Sequence, residues 1–291
     1  MKLIKLLLKI LSIILGSVAV IAIIALVFFT ANEYRPDSVE QLDITGSGET
    51  LSVGDTITVM TYNVGYGSMG KDTYILSNKD INFGNQATVE SNLEGMAQEM
   101  LINTADIYLL QEVDTDSKRS FNIDQFTYFE NKLNLSSSFA YDFNCILVPY
   151  PISFSGKVES GISIFTQLNV SEAYRLSLSS DFSWPRSTFS PKRCLLVNRI
   201  PIDESDKELV VINLHLDVDD SGYLNYEQFN QLKEVISQEY LKGNYVIAGG
   251  TFNYLFPDTE QFAAQGNDYW NPIDLTEENI PADFQYVTDT S

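Results

Sequence analysis

Residues 105–114 read ADIYLLQEVD, and residues 209–216 read LVVINLHL. Each is a short apolar run that ends in a side chain able to do chemistry. The run Ile107–Leu110 is too short for a helix and reads as a buried strand, closed by Gln111-Glu112. Leu209–Leu216 reads the same way, with His215 at its end. Two further stretches share the pattern. Ile57–Asn63 (ITVMTYN) is β-branched and apolar and stops at Asn63. Tyr245–Ala248 runs into Gly249-Gly250-Thr251-Phe252-Asn253, a tight strand-to-loop exit.

Helical periodicity lies between these strands. Val89, Leu93, Met96 and Met100 recur at spacings of three and four, and so do Phe229, Leu232, Val235 and Ile236. Lys242-Gly243 closes the second helix. Phe139–Phe143, Gly161–Thr166 and Cys194–Ile200 are further strands. Strand–helix–strand order with many additional strands predicts a layered α/β body. Asn63, Glu112, His215 and Asn253 all fall where strands end, which predicts one shared site.

Taken singly, each residue has a plainer reading. Glu112 is a charge leaving a strand for solvent, His215 a hydrogen-bonded structural residue, Asn63 a turn former. Asp114 and Asp116 read as solvated loop acids. Lys118-Arg119 reads as a solvated pair or as a contact for an anionic group.

The whole chain sets outer bounds. It has 291 residues, 18 Lys+Arg against 39 Asp+Glu, and a formal net charge of −21. A body this acidic is a poor non-specific partner for nucleic acid and suits the gathering of divalent cations. Cys145 and Cys194 exclude a disulfide framework and a cysteine metal cluster. They are read as two unpaired buried thiols, with a single disulfide as the alternative. One histidine excludes every site that needs two.

Residues 10–30 (ILSIILGSVAVIAIIALVFFT) carry no charge. About 20 such residues span roughly 30 Å of hydrocarbon. The run is longer than the apolar part of a signal peptide and ends in Phe28-Phe29 rather than a small-residue cleavage site. It is read as an uncleaved single-pass anchor in the cell membrane. Lys2, Lys5 and Lys9 precede it, while Glu33, Asp37 and Glu40 follow. The positive-inside rule then puts residues 1–9 in the cytoplasm and the body outside. Residues 31–55 carry Pro36, Gly46, Gly48 and Gly54 and read as a linker with one short strand. The folded domain is expected over 56–291.

The ordered set TYN (61–63), LLQEVD (109–114), NLHL (213–216) and GGTFN (249–253) resembles the endonuclease/exonuclease/phosphatase superfamily. SKRS (117–120), SGISIF (160–165) and KRCLLV (192–197) look like a membrane-anchored bacterial branch of it. The resemblance implies a two-sheet β-sandwich flanked by helices and Mg²⁺- or Mn²⁺-dependent hydrolysis of a phosphoester. It implies Glu112 and Asn63 at the metal, and His215 and Asn253 at the scissile phosphate. It places Asn213 and Arg119 in contact with substrate. The anchor points toward a phospholipid head group or a small phosphorylated molecule, with nucleic acid less favoured. The oligomeric state is not legible.

The chain departs from the family in two places. The family reads G-D-x-N where this sequence reads Gly250-Thr251-Phe252-Asn253. The replaced aspartate handles the attacking water, and a threonine hydroxyl does not take up a proton near neutral pH. The family also ends in Ser-Asp-His, and no histidine follows His215 here. The expectation is a sandwich lacking its last strands, shortened at the C-terminus, with strongly impaired hydrolysis. General acid–base help is typically worth about 10²–10⁴ in rate. The alternative is a non-catalytic surface protein that binds a metal or phosphate group.

Overall fold

The computed structural model describes residues 2–68, 74–75, 81–82, 85–149, 156–218, 223–256, 273–276 and 279–287. In chain order the elements are α1 (Lys2–Ala31), β1 (Val39–Gln41), β2 (Leu51–Ser52), β3 (Val59–Asn63), β4 (Tyr74–Ile75) and β5 (Ile81–Asn82). Then come α2 (Gln86–Ile102), β6 (Ile107–Asp114), α3 (Gln125–Leu133), β7 (Ser136–Val148), β8 (Gly156–Thr166) and β9 (Glu172–Ser177). The last are β10 (Cys194–Asp203), β11 (Glu208–His215), α4 (Tyr223–Leu241), β12 (Tyr245–Thr251), β13 (Tyr254–Leu255) and β14 (Ile273–Asp274).

Two sheets form the body. One runs β1-β9-β10-β11-β12, with β2 pairing β10; the other runs β3-β6-β8-β7. Side chains alternate across each strand, and here both faces are covered. Leu109, Ile162, Ile164, Leu196, Ile200 and Val211 meet between the sheets. Tyr108, Leu110 and Val113 face outward to Val89, Leu93 and Met100 of α2. Leu195, Val210, Ile212 and Leu214 face outward to Phe229, Leu232 and Ile236 of α4. That double burial is why β6 and β11 read as unbroken apolar runs. The result is the sandwich with outer helices expected from the sequence.

Two of the parallel pairs in these sheets bring strand ends out level. Asn63 of β3 stands opposite Gln111 of β6, and His215 of β11 stands opposite Thr251 of β12. This level exit builds the site.

Several boundaries differ from the sequence reading. Strands β7 and β8 are longer than the apolar cores that announced them, and β9 had no sequence signal strong enough to mark it. Within 31–55, β1 pairs with β9 and β2 with β10, while Thr45 and Glu49 bridge to Ser137 and Leu168. Both cysteines are free and buried, and burial pushes the Cys194 thiol up to about 12. Helix α1 is long and apolar enough to cross a membrane. Part of the segment where the family's last strands were sought, 257–272 and 288–291, lies outside the described residues.

Candidate active site

Strand parity decides which residues reach the site. On β11, Val211 lies in the inter-sheet core and Asn213 and His215 follow it at steps of two. On β6, Leu109 and Gln111 hold the matching inner positions. Glu112 has the parity of Leu110, which faces α2, so a regular strand would aim it away from His215. A bulge intervenes. The register with β8 shifts between Leu110 and Val113, and Glu112 has φ +59°. A left-handed backbone at a non-glycine residue is strained, and such strain gathers at functional sites. Here it turns the carboxylate inward.

The inward turn brings Glu112 Oε1 to 3.7 Å from His215 Nε2. Asn63 Nδ2 donates to Glu112 Oε1 at 3.1 Å and to Thr251 Oγ1 at 3.1 Å. The Thr251 hydroxyl in turn donates to Gln111 Oε1 at 3.3 Å. Asn253, with φ +57°, donates from Nδ2 to the carbonyl of Leu216 at 2.7 Å. Four strand ends from both sheets therefore converge.

Beside them lies a cavity of about 350 Å³. Its polar wall is Glu112, His215, Arg119, Arg193, Asp142 and Tyr66; Arg186, Phe182 and Phe189 stand at its side. Arg193 organises the wall. Its Nη1 donates to Asp142 Oδ2 at 2.5 Å and its Nε to Asp217 Oδ1 at 2.9 Å. Its Nη1 also lies 3.3 Å from His215 Nδ1. An arginine only donates, so Nδ1 accepts and the imidazole proton sits on Nε2, toward Glu112. Burial disfavours the Arg193 charge, but Asp142 and Asp217 more than offset it and keep its pKa above the ordinary arginine value.

These surroundings fix protonation. Burial, then the Arg193 and Arg119 charges, hold His215 well below the usual histidine range. It is a neutral Nε2–H donor at neutral pH. Burial pushes the Glu112 carboxyl up, and the Asn63 hydrogen bond opposes that. Burial also raises Asp142, against the neighbouring Arg193.

Three sequence readings are corrected. Asp114 is fully buried, not a solvated loop acid: Arg119 Nη2 and Nε reach its two oxygens at 2.8 and 3.0 Å. Arg119 is likewise no solvated surface charge. It is buried, stacks on the Tyr66 ring with Cζ 3.3 Å from the centroid, and still lines the cavity. Asn213 is fully buried and does not line the cavity. Its Nδ2 donates to the carbonyls of Leu110 and Ser163, and its Oδ1 accepts from Gln111 Nε2, each at 2.8 Å. The structure thus gives Asn213 the role of a clamp between the sheets, below the cavity. Asp116 agrees with its surface reading and pairs with Lys157 at 2.6 Å.

Sequence reasoning missed Asp142, Arg193, Asp217 and Tyr66. A signal existed for the first: an acid at 142 interrupts AYDFNC, inside a run otherwise read as strand. Arg193 directly precedes the buried β10, a similar anomaly.

Among the described residues no cluster of three or more His, Cys, Asp or Glu could hold a metal ion. A single carboxylate is nonetheless compatible with Mg²⁺, which keeps waters and takes substrate phosphate. Glu112 suits that role. Its side chain is only 17% exposed, and among the described residues no Lys or Arg nitrogen lies within 4.0 Å of it. A buried carboxylate without a close cation is costly, and a divalent ion would supply the counter-charge.

No protein-family profile and no curated protein matches the chain. Several solved structures are similar to it. An endonuclease/exonuclease/phosphatase from Beutenbergia cavernae matches at 16% identity and TM-score 0.44, covering 61% of this chain and 43% of that one. An endonuclease/exonuclease/phosphatase family protein from Leptotrichia buccalis matches at 13% identity and TM-score 0.44, covering 68% and 67%. The human Nocturnin catalytic domain with bound sulfate anion matches at 16% identity and TM-score 0.47, covering 74% and 68%. The chain thus spans under half of the first and about two thirds of the others.

Proposed function

We propose that this chain is a membrane-anchored, extracytoplasmic protein of phosphoesterase architecture. It binds a phosphate ester and a divalent cation in the cavity beside Glu112 and His215, and hydrolyses the ester poorly. One observation carries the reading: a strained bulge turns Glu112 to within 3.7 Å of His215 at a cavity walled by Arg119 and Arg193.

Each residue has a part. Glu112, with Asn63 oriented against it, would hold Mg²⁺ or Mn²⁺, which when bound offsets charge on phosphate oxygens. His215 Nε2–H donates to a non-bridging oxygen. The buried guanidinium groups supply fixed positive potential in a low-dielectric wall, where such dipoles and charges act strongly. Asn63 keeps Glu112 and Thr251 in fixed relation.

The base that the resembling family uses is replaced here. Thr251 stands at the strand end where the resembling family carries its aspartate. Its hydroxyl donates to Gln111 Oε1 and accepts from Asn63, so it offers no site for a proton. His215 faces Arg193 through the lone pair that would otherwise accept one. Neither group relieves an attacking water of its proton, which supports weak turnover at most.

The full chain in detergent, with bis(p-nitrophenyl) phosphate and Mg²⁺ or Mn²⁺, tests this. Background-level hydrolysis together with calorimetric binding of Mn²⁺ that Glu112→Ala abolishes is the expected result. Robust turnover lost in Glu112→Ala would refute the impairment. No binding of Mn²⁺ or inorganic phosphate would refute the site.

A further inference from the structure

The outer end of α1 is built into the rim of the cavity. Trp184 Nε1 donates to Thr30 Oγ1 at 2.9 Å. The Phe29 ring meets the Phe189 ring edge-on, with centroids 5.7 Å apart. Lys192 Nζ pairs with Glu33 at 3.2 Å, and Tyr34 packs against Tyr141. Phe189 is itself a wall of the cavity, while Lys192 and Tyr141 directly precede the cavity residues Arg193 and Asp142. The chain therefore passes from apolar helix to cavity wall without a free tether.

This fixes a height. The bulky apolar run ends at Phe29, and Trp184 binds the next residue, Thr30. The head-group layer adds roughly 5–8 Å on each side of the hydrocarbon. A rim one side chain away from Phe29 and Thr30 falls within that layer. The rim is composed for it. Trp184 is 57% exposed, and tryptophan favours the membrane–water boundary. Arg186 lies over the Phe182 ring at 4.5 Å and has no carboxylate partner among the described residues. An acidic protein gains nothing from long-range attraction to an anionic surface, but a tethered one needs none, because the anchor sets the effective concentration.

We propose that the cavity opens into the head-group layer and takes the phosphate group of a phospholipid from the same leaflet, with Arg186 and Trp184 receiving it at the rim. This rests on the phosphate-ester reading of the cavity and names its substrate class.

The test uses the full chain in vesicles. Trp270→Phe leaves Trp184 as the sole tryptophan. Its fluorescence should be quenched by phosphatidylcholine brominated near the head group, and iodide should quench it several-fold less in vesicles than in detergent. Vesicles containing phosphatidylglycerol with a photoactivatable acyl chain should give an adduct within residues 182–191. Inorganic phosphate should suppress that adduct. Trp184→Ala should lower it several-fold. Retained phosphate binding with no adduct, or with Trp184 open to iodide in vesicles, would overturn this inference and leave the site reading standing. Loss of both phosphate binding and adduct would overturn the site reading itself. An adduct that phosphate does not suppress would place the lipid outside the cavity and overturn the inference.

Discussion

Arg193→Met removes the one cation shared by two buried carboxylates. The wild-type triad is tight: 2.5 Å to Asp142 and 2.9 Å to Asp217, with side-chain exposures of 15%, 4% and 9%. Breaking a buried pair by deleting one partner costs about 3–5 kcal/mol, because the other charge stays buried and unpaired. Here two charges are left, although Gln228 Nε2 still donates to Asp217 at 3.0 Å. A domain of ordinary stability has about 5–15 kcal/mol in total, so the variant should fold marginally. Urea unfolding of the full chain in detergent, followed by fluorescence, would show the midpoint falling accordingly. The companion variant Arg193→Met/Asp142→Asn/Asp217→Asn discharges the acids together and should recover most of the loss. A loss under about 1 kcal/mol for the single change is the range of exposed pairs. That result would mean water screens the triad, and the fixed-charge wall described above would not exist.

Three further outcomes follow from the same geometry. His215 is the sole histidine, so its imidazole NMR signals are unambiguous. Its folded pKa is depressed, so the unfolded chain takes a proton below about pH 6.5 that the folded chain refuses. Stability should therefore fall as pH drops from about 6.5, and the imidazole should show no titration near that value; a midpoint at or above 6.5 would defeat the neutral-donor assignment. Glu112 has a folded pKa raised above 4.5, so its stabilising share is present below that pH and is lost as pH rises through the folded value. Glu112→Gln removes a buried charge and should stabilise the metal-free protein at neutral pH by about 0.5–2 kcal/mol. It should also erase any Mn²⁺-induced rise in Tm. Thr251→Asp replaces a donor to Gln111 Oε1 with an acceptor. Gln111 Nε2 is already bonded to Leu109 and Asn213, so the amide is not free to turn. The change should cost about 1–3 kcal/mol in urea unfolding and leave bis(p-nitrophenyl) phosphate hydrolysis little improved.

The strand ends were legible because each apolar run gives way to polar residues near its end. Asn63, Glu112 and His215 were picked out that way and lie together; Asn253, picked out with them, bonds the Leu216 carbonyl and does not line the cavity. Asp142 and Arg193 were not picked out, because each pays off only through a partner far along the chain: 142 to 193 joins β7 to the residue just before β10, a strand of the other sheet. Asp114 was misread because nothing in QEVDTDSKRS says that Arg119 folds back onto it through a single 3₁₀ turn. Asn213 misled for a subtler reason. It shares strand parity with His215 and so shares its face, yet one step of two residues separates the dry interior from the cavity. Sequence periodicity gives the face of a strand but not the depth along it. The bulge at Glu112 was equally hidden, since QEVD contains no glycine to announce a left-handed residue.

The site is split between two sheets, and that split has a mechanical consequence. Asn63 and Glu112 belong to one sheet, His215 and Thr251 to the other. The apolar layer between them is non-directional, and by itself it would let the sheets slide by fractions of an ångström. Directional bonds remove that freedom. Gln111 and Asn213 join across the interface one step below the site, and Asn213 also holds the backbones of β6 and β8. Thr251 adds a second crossing, through Gln111 on one side and Asn63 on the other. A buried network of this kind is justified energetically only when its members are satisfied, and these bonds satisfy most of what Gln111 and Asn213 can make. The separation of Glu112 from His215 is thus set by residues that never reach the cavity. The threonine that ends β12 is one of the bolts that hold the two halves of the site in register.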